Sequence, residues 1–367
     1  HGAIWTEGNK LMALVFMDGF DHYTQQNGIS GRKWDPYSSG NMGTGRWGGQ
    51  CCSPGMGSGG LIKTLATGVN AKNEYIIGFA VRFDNFEWMQ SDMPLVGIYS
   101  PAGLECGLYY NLDDSILRWR TPYDIGVDPG SVLVDLNISP PLGLWSYWEF
   151  RVKLGGAGAG EIESVFDGLS MGSTTCQTLN RGADPKLTKI ILRWQQSYWV
   201  WSGWVVDDLY VLDTTGDAPT NTFLGEVRVQ TKFPDAEGSI TQWIPSAGTN
   251  NSLNVDGITD YTGNGGYNYS DVVGDMDLYS IQNFTISGTI FAVQSNLSFR
   301  KDDVGSRTVI PVVLSPTGPT IYEGTSPFRC YSQFTYGGQV WITNPDTGLP
   351  WQLVDLNQTE FGIKVKT

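Results

Sequence analysis

The chain has 367 residues, and its 23 Lys and Arg against 37 Asp and Glu give a formal net charge of −14 at pH 7. That balance leaves no basic stripe for phosphate and argues against nucleic acid as the main partner; no run approaches the roughly 18 apolar residues of a membrane-spanning helix. Hydrophobic residues at 40% supply ample core, while 47 Gly and 18 Pro scattered between short apolar runs punctuate many strands and disfavour long helices.

The elements read as strands from the start of the chain. Residues 11–20 form an apolar run that meets an Asp18-Gly19 turn signal, and residues 1–11 precede it as an extension. From there to about Leu61 the chain is rich in Gly, Ser and Trp without clean periodicity and reads as loops. Alternating β-branched and aromatic runs follow at 75–83, 104–110, 116–119, 145–152, 161–166, 187–194 and 203–212, each bounded by turn residues. A recurrence of about ten residues is that of a β-sandwich. In the 203–212 run a regular strand would send Asp207 and Asp208 to opposite faces.

A short polar stretch over 216–222, with Gly216 and Pro219, reads as a linker between a first domain over 12–215 and a smaller β domain over 223–367. In the second part, 223–233, 281–294, 309–314 and 361–366 read as strands, and a few helical turns are expected near 278–283. The five cysteines are an odd count with an adjacent Cys51-Cys52 pair, so they read as thiols rather than as a disulfide framework.

Residues 12–23 (MALVFMDGFDHY), 204–213 (WVVDDLYVLD) and 223–230 (FLGEVRVQ) followed by 241–246 (TQWIPS) together resemble structural proteins of tailed bacteriophages. Residues 300–307 (RKDDVGSR), 344–348 (NPDTG) and 361–365 (FGIKV) extend the resemblance over most of the chain. It implies an all-β protein: a concanavalin A-like (LamG-like) jelly-roll sandwich followed by a second, smaller β domain. It further implies a virion component of tail, fibre or capsid surface, assembled in the host cytoplasm. The expected partners are other virion proteins, further copies of the chain and a host cell-surface glycan.

Sandwiches of this kind also house glycanases, which need two carboxyls flanking one bond. Glu161 and Glu163 share a strand face, but Glu163 stands where Glu-x-Asp-x-x-Glu has Asp, and Phe166 stands where it has the second Glu. A solvated pair is the expected reading. With His22 as the only interior histidine, no nucleophilic triad is legible either. The chain is therefore expected to be no enzyme and to carry no catalytic residue, with a lectin-type carbohydrate-binding module as the alternative function.

Two candidate contact sites remain. Tyr198, Trp199 and Trp201 lie in an aromatic run, where Trp199 and Trp201 share a face suited to a sugar ring or to a neighbouring subunit. Asp207 and Asp208 are a weak metal-ligand pair, so that Ca2+ is the one cofactor allowed for. Against it stands a simpler arrangement, with one carboxylate bonded to a loop and the other solvated.

Overall fold

The computed structural model describes residues 14–23, 29–55, 60–85, 93–111, 113–122, 130–193, 203–216, 218–257, 266–316 and 318–367. The chain forms two compact units, His1–Asp21 with Gln25–Gln230 and His22–Thr24 with Thr231–Thr367. Both are built from antiparallel strands, and the fold is all-β.

The strands of the first unit are β1 (Leu14–Asp18), β2 (Gly40–Thr44), β3 (Gln50–Pro54), β4 (Leu61–Thr64), β5 (Glu74–Phe83), β6 (Met93–Ser100) and β7 (Gly103–Asn111). They continue with β8 (Ile116–Arg120), β9 (Val132–Asp135), β10 (Trp145–Lys153), β11 (Gly160–Phe166), β12 (Leu169–Cys176), β13 (Lys189–Leu192) and β14 (Trp204–Leu212). Among the described residues, one sheet runs β12-β11-β10-β5-β14-β3-β2 with β1 also paired to β14, and a second runs β4-β13-β6-β7-β8-β9.

Alternation decides what lies between the sheets. Phe79, Phe83, Trp148 and Phe150 occupy one face of β5 and β10, where Trp148 pairs with Phe79 in register. Phe150 meets Trp119 of the opposite sheet edge-on at 5.4 Å, and Phe83 meets Tyr110 at 6.2 Å. These are the tilted and T-shaped geometries that aromatic quadrupoles favour. By the same period of two, Tyr147, Glu149 and Arg151 point to the outer face of the first sheet.

In the second unit β15 (Pro234–Thr241), β16 (Ile244–Pro245), β17 (Asn268–Tyr269), β18 (Met276–Ile281), β19 (Val293–Phe299) and β20 (Thr308–Leu314) are followed by β21 (Ile321–Glu323), β22 (Phe328–Arg329) and β23 (Thr335–Trp341). A short helix α1 (Leu353–Leu356) precedes β24 (Glu360–Val365). The main sheet runs β15-β18-β24-β20-β21 with β22 beside β20, and β16-β17 and β19-β23 are separate ribbons. Its core gathers Leu278 and Val312 on one side, and Val313, Trp341, Trp351 and Leu356 on the other.

Three expectations are corrected here. The helical turns near 278–283 are absent, because Met276–Ile281 is a strand bonded on both sides, to β15 and to β24. Residues 282–292 are not strand: the Phe284 N–H donates to the Asn357 side chain instead of to a neighbouring strand, and β19 starts only at Val293. Residues 223–230, read as the first strand of the second domain, form no ladder and belong with the first unit.

Truncating Phe150 to Ala removes the ring that Trp119, Phe79 and Phe166 all touch. A urea titration followed by Trp fluorescence is expected to show the first-unit transition weakened by about 3–5 kcal/mol.

Candidate functional site

Strand β14 carries β5 along one edge, while its other edge is shared end to end. Val206 pairs with Cys52 of β3, and Leu209 through Leu212 pair with β1. Asp207 and Asp208 sit where the two neighbours meet, the register against β5 slips between Asp207 and Tyr210, and Asp208 has a left-handed φ of 50°. A bulge of this kind re-aims side chains, and a non-glycine residue in that conformation holds strain that its surroundings must offset.

The two carboxylates serve the backbone there. Asp207 accepts the Asp208 N–H at 2.8 Å and the Arg46 N–H at 2.9 Å. Asp208 accepts the Val229 N–H at 2.7 Å and the Trp47 indole N–H at 3.1 Å, with the Arg46 guanidinium 3.6 Å away. Burial, and after it the Asp208 charge, pushes the Asp207 carboxyl up to about 8, and burial raises Asp208 as well.

Beside this pair the outer face continues through Tyr147, Glu149 and Tyr210. The Tyr210 hydroxyl donates to Glu149 and accepts the Leu224 N–H at 3.2 Å, and Glu149 also accepts the Gly225 N–H at 2.9 Å. Tyr147 donates to the Asp208 carbonyl at 3.0 Å. The Tyr210 ring lies against Gly78, where a Cβ would stand 2.2 Å from the ring. Burial, followed by the Glu149 charge, raises the Tyr210 phenol far above its ordinary range.

A face turned away from the core is ordinarily wet, yet Glu149 and Asp208 are each 1% exposed and Tyr210 2%. Residues 222–230 cross it, and the Arg46-Trp47 loop closes its side. Arg46 bonds Glu226 of the crossing segment and lies over the rings of Trp47 and Tyr147, at 5.0 and 5.6 Å. Arg228 stacks on the Trp47 ring at 5.4 Å, and Arg151 on Phe223 at 5.4 Å. The assembly offers two phenols, three carboxylates able to accept hydrogen bonds, and a guanidinium able to take an anion.

Of the residues singled out by sequence, Tyr198, Trp199 and Trp201 lie outside the described residues. Asp207 and Asp208 do not follow the regular strand expected of them: the bulge turns both into hydrogen-bonding positions, and neither is solvated. Among the described residues no group of three or more His, Cys, Asp and Glu is arranged to hold a metal ion. Glu163 lies 3.4 Å from Arg151 and Glu161 accepts from Ser173, each half-buried on β11. Sequence reading missed Arg46, Trp47, Tyr147, Glu149 and Tyr210. The legible signal was Glu149, a lone carboxylate inside the aromatic run Trp145–Lys153.

No protein-family model matches the chain, and no curated relative does. Partial likenesses exist among solved structures. The endo-beta-1,4-glucuronan lyase of the fungus Trichoderma reesei is 13% identical with a TM-score of 0.36, over 54% of this chain and 95% of that one. The alginate lyase vAL-1 from Chlorella virus is 11% identical with a TM-score of 0.35, over 49% and 93%. The marine PL-14 alginate lyase from Aplysia kurodai is 12% identical with a TM-score of 0.34, over 47% and 86%.

The expectation that the chain is no enzyme is corrected at this point. Structures named as polysaccharide lyases stand among the partial likenesses, and nothing in the chain's own residues denies activity. The physical reason is that chemistry resides in side chains grafted on a fold, and the missing Glu-x-Asp-x-x-Glu pattern removes one reaction rather than all.

The raised Asp207 carboxyl has a sign that can be measured. A carboxyl whose pKa is higher folded than unfolded contributes stability that is full below about pH 4 and lost as pH rises through about 8. In Asp207→Asn that loss is absent, so the melting temperature of the variant relative to the natural chain is expected to climb between pH 4 and 8 in differential scanning calorimetry. A flat difference across that range would show that Asp207 titrates normally.

Proposed function

We propose that the chain is a structural component of a tailed bacteriophage particle, a tail, fibre or capsid-surface protein that assembles with other virion proteins and with its own copies and meets a host-surface glycan. The observation that supports this reading is the meeting of three of the stretches that carry the phage resemblance, 12–23, 204–213 and 223–230. Leu14–Asp18 pairs with the Leu209–Leu212 end of β14, and the Val229 N–H donates to Asp208. Gly19 completes the lock: a Cβ there would stand 2.1 Å from the Val229 carbonyl oxygen. Segments nearly 200 residues apart in the chain thus meet at one place.

The reading is tested on virions banded from a lysate of the phage that encodes the chain. Mass spectrometry of the particles is expected to find it, and antibodies raised against it should decorate intact particles in electron micrographs at symmetry-related positions. Particles free of the chain would overturn the reading. If Trp199 and Trp201 form the attachment ridge, replacing either with Ala should abolish binding on a glycan array, while unchanged binding would remove them from the site.

A second reading, glycan cleavage, is favoured by one specific observation, the pair of buried carboxyls whose protons are held more tightly than usual beside Tyr210 and Glu149. Groups tuned toward neutrality are what general acid and base catalysis requires. Incubation with host polysaccharide and assay for new reducing ends or unsaturated ends measures it directly.

A further inference from the structure

Residues 222–230 bind the outer face of the first sheet in the manner of a ligand. They share no ladder with any strand, and none of the nine is buried. Their hold consists of backbone N–H groups of Leu224, Gly225 and Val229 donating to Tyr210, Glu149 and Asp208, of the Glu226 carboxylate on Arg46, of the ring contacts of Phe223 with Arg151 and of Arg228 with Trp47, and of the Val229 backbone lying close to Gly19. Glu226 itself is 53% exposed, whereas the acceptors beneath are almost fully covered. A segment held by polar and surface-ring contacts, with no buried side chain and no ladder, opens at less cost than the strands beneath it.

The pattern of those contacts specifies what else fits. The face presents acceptors that need hydrogen-bond donors, beside the Arg46 guanidinium, which needs an anion. A polyhydroxylated molecule carrying a carboxylate supplies both. Trp47, 52% exposed at the rim next to Arg46, adds an aromatic surface of the kind on which sugar rings stack.

We propose that the outer face of the first sheet is a binding groove for an acidic sugar chain, and that residues 222–230 are a strap lying in it. A uronate carboxylate replaces Glu226 at Arg46, and sugar hydroxyls replace the strap N–H groups on Glu149 and Asp208. The strap therefore sets the affinity, because ligand must displace it; the population in which it is lifted scales the observed binding. This deepens the host-glycan part of the proposed function and rests on that reading for its setting. Binding by the isolated chain is measured without particles, so failure here and absence from virions are separate results.

The test uses the full chain and oligogalacturonate, with maltohexaose as the neutral control. Glu226→Ala, at an exposed position, releases the strap from Arg46 and is expected to bind oligogalacturonate several-fold tighter than the natural chain in calorimetric titration, with no gain for maltohexaose. Arg46→Gln added to that variant should return binding to the natural level or below. In the natural chain, oligogalacturonate should speed trypsin cleavage after the exposed Arg228 several-fold, a readout that requires no variant to fold. Equal affinity in Glu226→Ala, an equal gain for the neutral sugar, or cleavage after Arg228 that ligand leaves unchanged or slows would each overturn the proposal.

Discussion

A strand shared end to end by two neighbours leaves backbone groups without ladder partners where those neighbours meet, and on β14 that place is Asp207 and Asp208. A buried amide without a partner costs about 1–3 kcal/mol, and here carboxylates answer the need: Asp207 takes the Asp208 and Arg46 N–H groups, and Asp208 takes that of Val229. The bulge that allows this strains Asp208 into a left-handed conformation. Much of the outer face of the first sheet follows from that junction.

Carboxylates used as structural acceptors bring a cost of their own, since a buried charge without a partner is disfavoured by several kcal/mol. The chain meets it locally. Arg46 approaches Asp208 and lies over Tyr147 and Trp47, Tyr210 donates to Glu149, and the segment 222–230 supplies the remaining donors. The second unit uses the same device on a smaller scale. Asp277, fully buried, accepts the backbone N–H groups of Gln242 and Trp243 at 2.8 Å each, with Asn251 and the Tyr279 hydroxyl on its other oxygen. In both units a buried acid gathers backbone N–H groups beside a ladder.

The same junction explains which sequence expectations failed. Alternation was a sound guide wherever a strand had a regular neighbour, as for Tyr75–Phe83 and Trp145–Val152, because a period of two reports a face packed on a core. It misled at Phe223–Gln230, whose Phe, Val and Val spacing imitates a strand while its N–H groups go to side chains. It misled again at Asp207 and Asp208, where one extra residue in the bulge cancels the rule that neighbours point to opposite faces. Asp18-Gly19 reads as a turn signal, yet what demands glycine there is the close approach of Val229 from the far end of the unit.

Composition and periodicity by themselves determined the all-β class and the aromatic core. Each of these follows from local spacing and from how much apolar surface a chain must bury. Which polar residues would matter was decided only by tertiary structure. Arg46, Glu149, Asp208, Tyr210 and Glu226 are far apart in sequence and carry no shared motif, and they meet because β5 lies between β10 and β14 while the chain crosses back over them. A site assembled from contacts across a sheet has no linear spacing to read, since its geometry is set by pairing order and register rather than by distance along the chain.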